Sequence, residues 1–358
     1  VYLESESEVV FVYLSSRKRI KLTAHPALIT SLSWLTGNHT VEELRDRVYE
    51  LAKSEIPPDS FLKFIQYLQD RAIILSVDWL TNVNLPRQYK ARLEKQLNFL
   101  LDVVNDVGKV SEVQNRIFQS KVAIFGVGGV GSWVCRELVM IGFRNFVLID
   151  HDKVTPSDVA RHAFFEQDKI GSLKTEVCES MLHSIDSEVS IKCINEPLSI
   201  NTNLQELLEE VDFVVNVADE PYIGHTSLKL SRYCVNHLVP LFIVGGFDAH
   251  LGSLGEIIVP RVTPCADCYS TYFNEALRDW KPMQHPVSER REAFGGLASL
   301  AVFAASTAVM AILRYFIDPQ GLFEGGRGEL LFERYDITAF SVVRDAHCPV
   351  CGGTQING

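Results

Sequence analysis

A chain of 358 residues, 47% hydrophobic and 22% charged, is long enough for two or three domains and a sizeable core. Its formal net charge of −11 argues against nonspecific nucleic-acid binding. The best apolar run, 297–312, is rich in Ala and Ser. It falls short of the roughly 20 residues a membrane span requires and reads as a buried helix. No signal segment is apparent, so no membrane partner and a cytoplasmic location are expected.

The first eighty residues have their own character. Apolar stretches at 9–14 and 19–22 read as two paired strands around a polar turn. Helical patterns follow at 26–35, from Thr40, and at 58–70; Thr40 with Glu43 forms a capping box. A wing-like strand is expected at 71–75. Together these predict a small α+β winged-helix domain over residues 1–80. The third helix is apolar with Lys63 as its one cation, which is no DNA-recognition helix. A packing or dimerisation domain is the plainer reading. Residues 81–118 read as a linker ending in a polar helix.

The core begins at a strand, 121–125, that runs straight into Gly126, Gly128, Gly129 and Gly131, after which a helix pattern starts. Glycines allow close backbone approach to a phosphate, and the helix start offers N–H groups and a positive dipole end to an anion. A second strand, 145–149, ends at Asp150, where a ribose-binding acid belongs. Asp152 follows. NAD and ATP both fit this far. Beyond lie Asp158, Arg161 and His162, then Lys174 opening a helix, then a buried strand that ends in Asp219. Hydride transfer gains nothing from an Arg, a Lys and an Asp at element ends. Phosphoryl or nucleotidyl transfer does, because the cations neutralise phosphate and a carboxylate holds Mg²⁺. The set favours ATP.

Cys265 and Cys268 form one C-x-x-C pair and Cys348 and Cys351 another, each in a turn-like context. Four thiolates suit structural, tetrahedral Zn²⁺ and leave no open position for catalysis. A redox pair or disulfides are the rival readings. Cys135, Cys178, Cys193 and Cys234 lie in apolar or helical patterns and read as small buried hydrophobes.

This ordered set resembles the ThiF/MoeB and ubiquitin-activating superfamily, whose members adenylate a carboxylate with MgATP; the likeness covers roughly 121–353. The expected fold is a Rossmann-like adenylation domain, 119–358, with a mixed sheet and a four-cysteine zinc site. The resemblance implies that Asp150 binds the ribose, with Asp152 beside it. It also implies that Arg161 and Lys174 contact the phosphates and that Asp219 holds Mg²⁺. Family dimers borrow an Arg from the neighbouring subunit, and Arg92 is the nearest match here, so a homodimer is implied. The polar segment 270–294, with Arg278, Arg290 and Arg291, resembles the crossover segment that covers the substrate tail. One departure stands out. The family pattern Asn-x-x-Arg-Gln is here Asp158 to His162, so an acid replaces the amide expected near the α-phosphate.

The N-terminal domain is similar to the PqqD-like leader-recognition domains, which capture a peptide by strand addition. An adenylating core behind such a domain resembles the branch that modifies ribosomally made precursor peptides. There the activated carboxylate or amide is left adenylated or is cyclised with loss of water. Two other readings stay open. One is activation of a sulfur-carrier or ubiquitin-like C-terminus. The other is a non-catalytic scaffold that presents a peptide, although such relatives tend to lose the glycine loop that this chain keeps.

Overall fold

The computed structural model describes residues 1–14, 16–53, 55–219, 223–245, 252–279, 297–321 and 326–352. The chain divides into two compact units, Val1–Asn115 and Arg116–Gly358.

The first unit opens with an antiparallel sheet of β1 (Tyr2–Ser5), β2 (Glu8–Val12) and β3 (Arg19–Thr23), in that order, so β1 and β3 are its edges. β1 was not expected. All four of its residues are exposed, so it carries no apolar alternation to read. Helices α1 (Pro26–Ser31), α2 (Val41–Leu51) and α3 (Ser60–Gln69) follow. The capping box is formed: Glu43 N–H donates to Thr40 Oγ1 at 3.2 Å and Thr40 N–H to Glu43 Oε2 at 3.0 Å. In α3, Phe61, Phe64, Ile65 and Leu68 recur at helical spacing and are all buried. The wing-like strand expected at 71–75 is absent. Instead the chain leaves α3 by a C-terminal turn. Ala72 is left-handed (φ 50°), and Ile73 N–H bonds Leu68 C=O while Ala72 N–H bonds Gln69 C=O. Ile73 and Ile74 then pack on the core from this turn.

The expected linker holds two helices, α4 (Arg87–Val104) and α5 (Val107–Gln119). Leu93, Leu97, Leu100 and Leu101 form a buried stripe on α4. Asn105, left-handed at φ 54°, ends it. Asp106 Oδ1 accepts from Lys109 N–H at 2.9 Å and starts α5.

The second unit is built on β4 (Lys121–Phe125), α6 (Gly131–Met140), β5 (Asn145–Ile149), α7 (Lys174–Ile185), β6 (Ser190–Ile194), α8 (Leu204–Leu207), β7 (Phe213–Asn216), α9 (Ile223–His237), β8 (Leu241–Ile243) and β9 (Glu256–Ile258). The strand order is β6-β5-β4-β7-β8-β9, with β9 antiparallel and the others parallel. This is the expected mixed, Rossmann-like sheet. Strand order reverses between β4 and β7, which opens a crevice at the strands' carboxyl ends. The chain continues through α10 (Ala266–Ala276), α11 (Ala298–Ile317) and the hairpin β10 (Gly326–Leu331) and β11 (Asp336–Ser341). Helix α11 is longer than the run read from sequence. Its 20 residues are apolar enough to cross a bilayer by length and composition. Here Ala301, Ala304, Ala305, Ala308, Val309, Ile312 and Phe316 are buried, and Ser306 donates to Glu137 of α6 at 2.7 Å.

Candidate active site

A cavity of about 550 Å³ occupies the crevice. Five parallel strands contribute to it: Gly126, Gly128 and Gly129 after β4, Asp150 to Asp152 after β5, Glu196 to Leu198 after β6, Val217 to Asp219 after β7, and Val244 and Gly245 after β8. Leu297, Ala301 and Ala304 close it from α11.

The turn after β4 requires glycine at two places. Gly126 has φ +87°, and a Cβ there would stand 3.0 Å from the backbone of Val217 and Ala218. A Cβ on Gly131 would stand 2.0 Å from Gly126 O. Gly131 therefore shapes the turn from behind and does not line the cavity. Gly128 and Gly129 do line it, and Arg161 lies over Gly129. Both oxygens of Asp150 are anchored: Oδ2 accepts from Val127 N–H and Oδ1 from Asp152 N–H, each at 2.8 Å.

Lys174 reaches the cavity through local pairing. Lys174 N–H bonds Asp152 C=O at 3.0 Å and Val154 N–H bonds Ser172 C=O at 2.9 Å, which sets the start of α7 against the strand exit. Its Nζ then donates to Asp152 Oδ2 at 2.9 Å. Asp219 is exposed at the cavity edge. The loop carrying it is held by a buried cluster that sequence reading missed. Asn216 donates to Thr226 Oγ1 at 3.0 Å and to Ser227 Oγ at 3.1 Å, and accepts from Ala218 N–H at 3.2 Å. A polar residue ending an apolar strand was the available signal.

Of the residues expected at the nucleotide, Asp158 joins Gly131 outside the lining. Asp158 is 2% exposed and does not line the cavity; it lies behind Lys174, Arg161 and His162. Arg92 is exposed on α4 of the first unit, over the Tyr89 ring at 5.0 Å. Arg278 lies in an exposed turn after α10, while Arg290 and Arg291 lie outside the described residues.

His162 was read only as a departure from a pattern. Its side chain is fully buried, and burial pushes it down to about 4, so the ring is neutral near pH 7. Its Nε2 is 3.0 Å from Asp158 Oδ1, a close approach not aligned with a ring N–H. Burial works against the Asp158 carboxylate too, but hydrogen bonds from Thr155 and the nearby Lys174 and His162 hold it below the usual range.

The four paired cysteines converge. All are buried, with Sγ separations of 3.9 Å (Cys265–Cys268), 3.6 Å (Cys265–Cys348) and 3.5 Å (Cys268–Cys351). A tetrahedron of sulfurs about 2.3 Å from zinc has edges of roughly 3.8 Å, so the cluster can hold that ion. The first pair is not in a turn. Cys265 caps α10 and Cys268 lies in its first turn, with Ala266 N–H bonded to Ser231 Oγ at 3.1 Å. Cys135, Cys178 and Cys234 are buried and Cys193 is partly so. Burial pushes the Cys193 thiol up to about 12, which makes it a poor nucleophile.

The sequence profile of the ThiF family matches residues 97–330. The chain belongs to the ThiF family. It is an ATP-dependent adenylating enzyme of that family. Among its relatives, the SAMP-activating enzyme E1 of Haloferax volcanii is 25% identical over 252 residues, which is 70% of this chain and 86% of that protein. The tRNA threonylcarbamoyladenosine dehydratase of Haemophilus influenzae is 29% identical over 131 residues; the match spans 37% of this chain and about half of that enzyme (49%). Two solved structures share the fold along nearly the whole chain. MccB of E. coli superposes with a TM-score of 0.68 at 19% identity, over 97% of this chain and 98% of its own. PaaA superposes with a TM-score of 0.66 at 19% identity, over 95% of this chain and 100% of its own.

Proposed function

We propose that this enzyme uses MgATP to activate a carboxylate, or a side-chain amide, of a ribosomally made precursor peptide, in the biosynthesis of a peptide natural product. The observation that carries it is the meeting of Arg161, Lys174 and Asp219 with the glycine turn around one cavity. In this reading Asp150 holds the ribose and the glycine turn carries the phosphates. Arg161 and Lys174 balance charge as a substrate oxygen attacks the α-phosphorus. One O–P bond forms, the bond to the β-phosphate bridge breaks, and pyrophosphate leaves. Mg²⁺ held by Asp219 would neutralise the departing phosphates. Placement of the attacking oxygen supplies much of the rate. The acyl adenylate then persists, or a nearby nitrogen displaces AMP with net loss of water.

The N-terminal unit supports a peptide substrate. β3 is an edge strand with alternating exposure, and such an edge accepts an extended peptide as an added strand. Solved structures of MccB include complexes with ATP and with MccA. We further propose that Zn²⁺ occupies the four-cysteine cluster and that the enzyme is a cytoplasmic homodimer with Arg92 serving the partner's phosphates.

ATP–pyrophosphate exchange with and without the peptide encoded beside the gene tests this. Peptide-dependent exchange, with a mass gain of one AMP residue or a loss of water, is expected. No exchange and no ATP consumption with that peptide would sink the proposal. A second reading, activation of a protein C-terminus ending in a flexible tail, is favoured by the SAMP-activating relative; exchange driven by such a protein would select it.

A further inference from the structure

Behind the cations of the nucleotide cavity stands a buried anion. Asp158 Oδ2 accepts from the N–H and the Oγ1 of Thr155, both at 2.8 Å, and lies 3.8 Å from Lys174 Nζ. Its Oδ1 lies 3.5 Å from Arg161 Nη2 and 3.0 Å from His162 Nε2. On the other side, Asp152 accepts from Lys174 at 2.9 Å. The Lys174 ammonium is thus flanked by two carboxylates, and the Arg161 guanidinium is drawn back toward Asp158. Two donors from Thr155 fix the Asp158 carboxylate, so it cannot follow a ligand into the cavity. An amide would still accept from Thr155, but it would turn an N–H₂ group on Arg161, donor against donor.

We propose that Asp158 is a positioning residue that trades nucleotide affinity for alignment. Its fixed charge lowers the attraction of the cavity for polyphosphate. In exchange it aims Arg161 and Lys174 at the oxygens where charge develops, without touching substrate itself. A purely structural residue would weaken binding and turnover together. A residue making this trade moves them in opposite directions when its charge is removed.

The inference rests on the cavity being the ATP site, and Asp158→Asn in the full-length enzyme tests it. MgATP affinity by calorimetry should tighten about threefold or more, because one anion near the phosphates is neutralised. The kcat for peptide-dependent exchange should fall about tenfold or more, the scale of a small misplacement of catalytic groups. In a Lys174→Met background the same change should cost less kcat than in the wild type, since one of its two targets is gone and only Arg161 remains. Weaker MgATP binding, an unchanged kcat, or an equal loss in both backgrounds overturns the proposal. If Asp158→Asn does not fold, Thr155→Val keeps the charge and loosens its anchor; a smaller kcat loss at unchanged affinity supports the role, and wild-type kcat overturns it. Should no peptide be turned over by the wild type, the affinity measurement alone decides Asp158, and the substrate reading fails separately.

Discussion

Single residues decide how this site answers pH and substitution. His162 is held at about 4 in the fold against an ordinary value of 6.5. Between those values the unfolded chain binds a proton that the native chain does not, so stability falls as pH drops through the window. Asp158 acts in the same direction for a different reason: the fold favours its charged carboxylate, so its contribution is present above the ordinary carboxylate value and is lost as pH falls from there through the lower folded one. Denaturant unfolding from pH 7 to 4 should therefore show a slope that His162→Gln flattens. Gly131→Ala should abolish MgATP binding and cost roughly 1–3 kcal/mol of stability, because the new methyl meets the Gly126 carbonyl; a binding isotherm and a urea midpoint check both. Most of these residues were visible in sequence, because glycines and charges at element ends have few other reasons to be ordered so. What sequence could not tell was which faces the cavity. Asp158 and Arg161 are three residues apart, yet one is buried behind the site and the other covers it.

At the scale of elements, the parallel strands announced themselves by apolar runs ended by Gly126 and Asp150, and by one read through to Asp219 whose strand stops at Asn216. The elements that escaped notice lacked such marks. β1 is wholly exposed, the run at 71–75 packs from a turn, and the helix break at Asn105 depends on one left-handed residue. The wall after β6 was also missed. Glu196, Pro197 and Leu198 line the cavity, and the following loop is tied down by Lys229 of α9. Its ammonium donates to the carbonyls of Ser199, of Ile200 at 3.0 Å and of Thr202 at 3.2 Å. A lysine spent on backbone carbonyls of a distant loop leaves no local pattern. Lys229→Met should leave kcat near wild type and raise the KM for ATP roughly 3–10-fold, since about 1 kcal/mol is associated with each such hydrogen bond; steady-state kinetics at saturating peptide would show it.

For the whole molecule, the proposed homodimer makes a sharp prediction. If Arg92 serves the partner's site, neither Arg92→Ala nor Lys174→Ala alone is active, but mixed dimers carry one intact site. Coexpression should restore about a quarter of wild-type activity per site, as symmetry requires; no recovery would show that Arg92 does not act across the dimer. In sequence, a strand-and-helix pattern gives way to a linker and then to the glycine core; the structure has two compact units, Val1–Asn115 and Arg116–Gly358. The boundary between those units leaves no mark in sequence, because α5 runs through it without a break. Cys348→Ser should abolish zinc content by elemental analysis and lower the melting temperature by about 10 °C or more. The two cysteine pairs are 80 residues apart, and α11, which closes the cavity, lies between them. That arrangement has a consequence for synthesis. If Zn²⁺ joins the two pairs as proposed, the knot cannot close on a ribosome until Cys351 has emerged, and the segment that carries α11 is the last to be tied down. On that proposal, a chain stopped before Cys348 would carry every motif around the cavity and should still hold MgATP more weakly in a binding isotherm, so the metal would mark completion of the chain as well as staple it.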